Sequence, residues 1–332
     1  MSFNNSIDVP KGNFNQTNNF GQPSVEPSWL VVIRLAVEAV IALAGVIGNF
    51  AVCFAISRHR ILSTVPTNTY IRNAAIGDLA TLLVSFPFGT VREQFTYWPL
   101  CEFTCRYIFP MGDIFFGVSI WSITAIAVER HRILSARFPQ LAFRSMAKPR
   151  IVCAVIWIFS FLGISLPLLL VYEYYHLPNG KTMCVPMWPH EGLPYIYGIA
   201  LSLLSYVIPL SLILMSYCAI KRQLRKSESF HMEIAETSFT RGIRTSQVSL
   251  VKTRTRRVSK IMTPVVAVFA ITVLPLSIFR VIPNDYHYNN QKYSFIFFRV
   301  SIFFYLFNTA CNPFIYSLVS GRFRRSFKEI FS

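Results

Sequence analysis

Asp78 is a carboxylate in the middle of an oily stretch, "NAAIGDLATLL". Placing an ionisable group in hydrocarbon costs about 3 kcal/mol by insertion scales, so such a group has partners or a task. Asn49, Ser119, Asn308 and Asn312 lie in other apolar stretches. With a carboxylate, their oxygens can hold a small hard cation or line a water-filled polar core; the plainer reading is a carboxylate satisfied by polar neighbours. A second group is Glu129-Arg130-His131, which ends a run from Ile108 to Val128 whose one charge is Asp113. At such a boundary Arg130 can lift its head into water while its stem stays in apolar surroundings. Thiols form the third group. Cys53, Cys153, Cys218 and Cys311 sit in apolar runs and read as small packing residues. Cys101, Cys105 and Cys184 fall where oxidation is possible, and spacing leaves open whether Cys101 or Cys105 joins Cys184. Asp78 and Asp113 stand on different segments without a protease-type motif, so no enzyme is expected.

The elements that must carry these groups follow from composition. The 332 residues are 53% hydrophobic and 14% charged, against about 25% charged in a soluble domain. Lipid is then the expected solvent. A helix needs roughly 20 apolar residues to cross about 30 Å of hydrocarbon, and seven stretches qualify: 29–57, 67–92, 103–134, 150–171, 195–220, 258–283 and 294–319. With the N-terminus outside, 24 of the 32 basic residues fall on the cytoplasmic side. That asymmetry fixes the orientation and explains the formal charge of +17 without nucleic acid. Residues 1–28 are polar and expected to be disordered and extracellular, with Asn4 and Asn15 in glycosylation sequons. No cleavable signal is evident, so the first span is expected to insert the chain. A long cytoplasmic loop is expected over about 221–257. The tail 320–332 places Phe323, Phe327, Ile330 and Phe331 at helical spacing opposite Arg and Lys, an interfacial amphipathic helix. The expected fold is all-α: a seven-transmembrane helix bundle with a short amphipathic eighth helix. Prolines 167, 209, 264, 275 and 313 mark expected bends.

Asn49 in "GVIGNF", Asp78 in "IGDLA", "ERH" at 129–131, Trp157, Pro209 with Tyr217, and "NPFIY" at 312–316 occur in order, one set per span. Over residues 29 to 332 this series resembles the rhodopsin-like family of G-protein-coupled receptors. The resemblance implies a plasma-membrane receptor with a heterotrimeric G protein as partner, arrestin and receptor kinases as further ones, and lipid around it. No cofactor is implied beyond a possible allosteric sodium ion at Asp78, Ser119, Asn308 and Asn312. It implies that Cys105, seven residues after Trp98, pairs with Cys184, leaving Cys101 spare. It makes Glu129, Arg130, His131, Tyr217, Asn312, Pro313 and Tyr316 the activation and coupling residues, and Ile120, Pro209 and Phe269 the packing relay. "KTRTRRVSK" at 252–260 would belong to the docking surface for the G protein.

Departures from the pattern matter as much. The family's Cys-Trp-x-Pro element in the sixth span is Thr272-Val273-Leu274-Pro275 here, so the aromatic switch is missing. Thr255 stands where many relatives have an acid to hold the arginine, which predicts noticeable basal activity. Gly112, not aspartate, lies eighteen residues before Arg130, unlike amine receptors. Leu306 occupies the opsin lysine position. The outer half carries Arg34, Glu38, Arg92, Glu93, Arg106, Asp113, Arg280 and Arg299. Charges of both signs suit a peptide ligand, with Glu93, Arg106, Asp113, Phe116, Arg280 and Arg299 as its expected pocket. Pairs that neutralise one another, such as Arg34 with Glu38, are the equally weighted alternative. "AVERHRIL" and "PFGTVREQFTYWPLCEFTC" resemble the neuropeptide Y and neuropeptide FF branch. A small non-peptide ligand is the second reading. A transporter is the third, although no internal repeat supports it.

Overall fold

The computed structural model describes residues 26–58, 65–95, 97–135, 149–237, 264–282 and 291–319. Asn4, Asn15, Thr255, "KTRTRRVSK" and the expected helix at 320–332 lie outside the described residues. Among the described residues seven helices are long and apolar enough to cross a membrane: α1 (Ser28–Arg58), α2 (Pro66–Gln94), α3 (Thr104–Arg132), α4 (Pro149–Val171), α5 (Leu193–Gln223), α6 (Pro264–Val281) and α7, whose span is Tyr293–Ser317. α3 is the most buried and α1 the least. Val40, Leu43, Ile47, Phe50 and Phe54 stay exposed along α1 at three- and four-residue spacing, a stripe that suits lipid rather than water.

Four helices contain one widened, π-helical turn: Thr81–Ser85 in α2, Thr104–Ile108 in α3, Phe161–Ser165 in α4 and Leu203–Val207 in α5. Each is closed by the amide of the residue just before a proline. Phe86 donates to the Thr81 carbonyl, Phe109 to Thr104, Leu166 to Phe161 and Ile208 to Leu203; Pro87, Pro110, Pro167 and Pro209 follow. A proline ring crowds the carbonyl four residues back and offers no N–H. Widening the preceding turn moves that carbonyl aside and keeps the neighbouring amide bonded. Pro167 and Pro209 were expected to bend their helices; Pro87 and Pro110 act in the same way.

Two expectations change. The helix of α5 does not stop near 220 but runs to Thr237, because Lys221–Thr237 holds no proline or glycine and many strong helix formers. The expected helix bundle also carries a small element that was not expected. β1 (Tyr172–His176) and β2 (Thr182–Pro186) form an antiparallel hairpin between α4 and α5, with Tyr174 opposite Cys184. Gly180 takes the left-handed conformation (φ 78°) that its turn requires.

Small residues set the helix crossings. A Cβ at Gly77 would lie 2.8 Å from the Phe115 carbonyl oxygen, so α2 and α3 meet nearly backbone to backbone. A buried polar chain continues from there: Trp157 Nε1 donates to Asn73 Oδ1 (3.0 Å), and Asn73 Nδ2 donates to Ser122 Oγ (2.8 Å), joining α4, α2 and α3. Asn49 Nδ2 donates to the carbonyls of Gly45 (2.9 Å) and Thr309 (3.2 Å), fixing α1 to α7.

Candidate functional site

The Gly77 crossing places Asp78 against α3, where it is buried. Asn312 Nδ2 donates to Asp78 Oδ2 at 2.9 Å. Ser119 faces the same carboxylate, yet its hydroxyl makes no hydrogen bond of good geometry. Asn308 is drawn elsewhere, donating to Thr272 Oγ1 on α6 at 2.7 Å. Of the four residues expected around a cation, Asp78, Ser119 and Asn312 converge, Asn312 through its amide N–H, and the fourth ties α7 to α6.

Beside this layer, Ile120, Phe269, Val273 and Phe116 share one buried cluster with Ile213. Pro209 is buried one residue from Leu210, which packs against that cluster. In the same cluster as Val273, the Phe116 and Tyr305 ring centroids lie 4.5 Å apart. Towards the far end of the bundle Glu129 is buried and Arg130 half-buried. Tyr217 packs on the Phe269 cluster, with Lys221 Nζ 5.6 Å above its ring. Tyr316 instead packs with Val52, Ile56, Ile71 and Ala75 of α1 and α2. The two tyrosines are thus in separate clusters.

At the hairpin end the expected charges sort into three groups. Glu93 of α2 pairs with Arg299 of α7, and Arg34 of α1 lies 3.8 Å from the same carboxylate. Arg34 also meets Glu38 (3.2 Å) and Glu26 (3.6 Å). The neutralising Arg34–Glu38 pair is present, but inside a buried five-charge network that sequence spacing did not reveal. Asp113 of α3 lies 3.6 Å from Arg280 of α6. Arg106 does not join either group: it pairs with Glu102 (2.7 Å) and with Glu173 of β1 (3.0 Å), over a third exposed.

The hairpin is bound over this end. Cys105 and Cys184 form a disulfide, so the thiol left open by spacing is Cys105. Arg92 donates to the Cys184 carbonyl and lies over the Phe109 ring. Trp98, a residue given only a positional meaning in the sequence, is buried and clamps the hairpin: its amide donates to the Thr182 carbonyl (2.7 Å), and Thr182 Oγ1 donates to the Trp98 carbonyl (2.6 Å).

Cys101 stays free and exposed, 3.1 Å from Thr104 Oγ1. The Thr104 hydroxyl holds its thiol below the ordinary range by stabilising the thiolate. A membrane-impermeant maleimide should therefore label Cys101 first, and its rate should rise with pH to a plateau reached earlier than for an ordinary thiol. Thr104→Ala should shift that profile to higher pH; an unshifted profile refutes the contact.

The pattern of the 7 transmembrane receptor (rhodopsin family) matches residues 48–316. Neuromedin-U receptor 2 of Rattus norvegicus is 29% identical over 310 residues, covering 89% of this chain and 74% of the receptor. Neuromedin-K receptor of Oryctolagus cuniculus is 31% identical over 332 residues, covering 96% of this chain and 64% of that protein. Somatostatin receptor type 5 of Bos taurus is 26% identical, covering 99% and 84%.

Proposed function

The chain belongs to the rhodopsin family of seven-transmembrane receptors, and from that premise we propose that it receives a peptide at the hairpin end and activates a heterotrimeric G protein at the other. The hairpin end would face outside, as the lysine and arginine asymmetry requires. One observation carries the peptide reading: the end of the bundle that carries the disulfide-tethered hairpin also holds charged side chains of both signs, Glu93 and Asp113 with Arg299 and Arg280. A peptide offers matching termini and side chains. Relatives named for neuromedins and somatostatin agree with it. Neuropeptide Y or FF as the messenger rests on two sequence stretches alone.

Transmission would run through α3, the most buried helix, whose end carries Glu129 and Arg130. A ligand shifts such a bundle only by the difference in its affinity for two packings. The Phe116–Ile120–Phe269–Val273 cluster is the contact between α3 and α6 that would repack. A sodium ion beside Asp78 would be held by its carboxylate and the Ser119 hydroxyl, with Asn312 turning its amide to offer oxygen in place of the N–H it now donates. Asn308 is withdrawn from that set by Thr272.

The test is nucleotide exchange on purified G protein by receptor in lipid nanodiscs, with and without a tissue peptide extract. Exchange should rise with the extract, and Arg130→Ala should remove the rise at unchanged receptor level. Solute uptake into liposomes without any G protein, with exchange flat throughout, would establish a transporter instead.

A further inference from the structure

Arg280 is held from two sides. Its Nη2 lies 3.6 Å from Asp113 Oδ1 on α3, and its Nη1 donates to Ser205 Oγ on α5 at 3.3 Å. Its backbone is fixed as well: a Cβ at Gly198 would lie 2.1 Å from the Arg280 carbonyl oxygen, so α5 and α6 touch there without intervening side chains. The seam continues through Ser202 Oγ, which donates to the Ser277 carbonyl (2.9 Å), and Tyr206 OH, which donates to the Ala270 carbonyl (3.0 Å). Helix α6 is therefore stitched to α5 along its length and to α7 at Thr272. Among the described residues its one ion pair is with Asp113 on α3.

We infer that the Arg280–Asp113 pair is a latch opened by ligand, and that the group opening it is a carboxylate. This deepens the receptor reading above and rests on it. Three observations carry it. The pair spans the α3–α6 boundary, so moving α6 away from α3 breaks this tie while the α5–α6 seam persists. Its contact is long and engages one carboxylate oxygen, whereas an incoming carboxylate can take a guanidinium through two short parallel bonds. The two partners also differ in access: the Asp113 side chain is 31% exposed and that of Arg280 14%. Displaced Asp113 can turn to water, but displaced Arg280 would have no other counter-ion among the described residues, which is far more costly. An anion replacing Asp113 is thus favoured over a cation replacing Arg280. The Glu93–Arg299 pair does not serve the same role, because both partners are more deeply enclosed and Arg34 backs the carboxylate.

Full-length receptor in nanodiscs tests both halves. Asp113→Asn and Arg280→Gln should each raise basal nucleotide exchange, and deuterium uptake over 264–281, by about fivefold. The double variant should go no higher, since both changes open one contact. Singles that behave as wild type at normal surface level overturn the latch. For the ligand group, the probes are two random hexapeptide libraries lacking Asp and Glu, one ending in free carboxylates and the other amidated. The free-acid library should act on wild type at about tenfold lower concentration, and Arg280→Gln should erase that preference while Asp113→Asn keeps it. Equal potency, amide preference or silence of both libraries overturns the carboxylate assignment. Raised deuterium uptake in the variants with no exchange by any form would sink the G-protein reading and leave the latch standing.

Discussion

Glu93→Gln should destabilise the receptor more than any other single change at a charged position. Glu93 is the carboxylate between Arg299 on α7 and Arg34 on α1, and all three side chains are mostly enclosed. Removing one partner of a buried pair leaves the other charge uncompensated, at about 3–5 kcal/mol. The lower part of that range applies, because Glu38 and Glu26 still neutralise Arg34. Arg299 would lose its one ion pair among the described residues: Glu26 and Glu38 reach it only at longer range, and the Phe295 ring lies 4.6 Å away. Thermal unfolding in detergent, followed by a thiol dye that reacts when buried Cys153 is uncovered, measures the loss. Arg299→Gln added to Glu93→Gln should recover much of it, since both charges are then gone. The reversed pair, Glu93→Arg with Arg299→Glu, should not recover, because Arg34 would then face a second arginine. Unchanged unfolding of Glu93→Gln would show that the pair holds nothing.

Why this network was not legible in the sequence has a physical reason. Arg34 and Glu38 are four residues apart on one helix, so their pairing follows from spacing. Glu93 and Arg299 lie on α2 and α7, more than 200 positions apart, and which face Glu93 presents depends on the widened turn at Thr81–Ser85. One extra residue in a turn rotates everything beyond it by about 100°. Projection along a regular helix therefore misplaces the outer sections of α2, α3, α4 and α5, where the ligand-facing groups sit. Arg106, inside the widened turn of α3, was expected in the pocket, and its pairing with Glu173 of the hairpin was not legible.

The inner half was easier to read for the complementary reason. Asp78 precedes the widened turn of α2, and Asn49 and Asn312 lie on regular helix, so polar groups in apolar runs pointed inward as spacing suggested. The seven spans were legible from length and hydropathy to within a few residues at most ends. The continuation of α5 to Thr237 was not, because a polar helix beyond the membrane lacks the apolar signal that marked the rest. Asn308 shows the limit of residue type as a guide. Its amide can serve a cation or a neighbouring hydroxyl, and the buried Thr272 hydroxyl on α6 takes it.

Cys184→Ser should be the most damaging change at the hairpin end. The disulfide closes a segment with a sequence separation of 79 that contains nearly all of α3, the whole of α4 and half the hairpin. Chain entropy alone assigns such a loop about 4.5 kcal/mol; two inserted helices already restrain the unfolded chain, so the figure is an upper bound. An isolated two-stranded hairpin is marginal in water. Without the bond, β2 would be retained by the Trp98–Thr182 hydrogen bonds and the Arg92 contact to the Cys184 carbonyl. Those contacts slow detachment without preventing it. Trypsin cleavage after exposed Lys181 should then accelerate by more than about tenfold on intact cells, and the amount of receptor at the surface should fall steeply. Cys105→Ser is the less clean variant. It leaves Cys101, one turn away with a thiolate favoured by Thr104, free to form a disulfide with Cys184 as the oxidising compartment takes up the two electrons and two protons. The Cys105→Ser phenotype should accordingly worsen when Cys101→Ser is added, whereas Cys184→Ser should be indifferent to it. Cleavage at the wild-type rate and full surface level in Cys184→Ser would mean that the contacts of Trp98, Arg92 and Arg106 hold the hairpin in place without the bond.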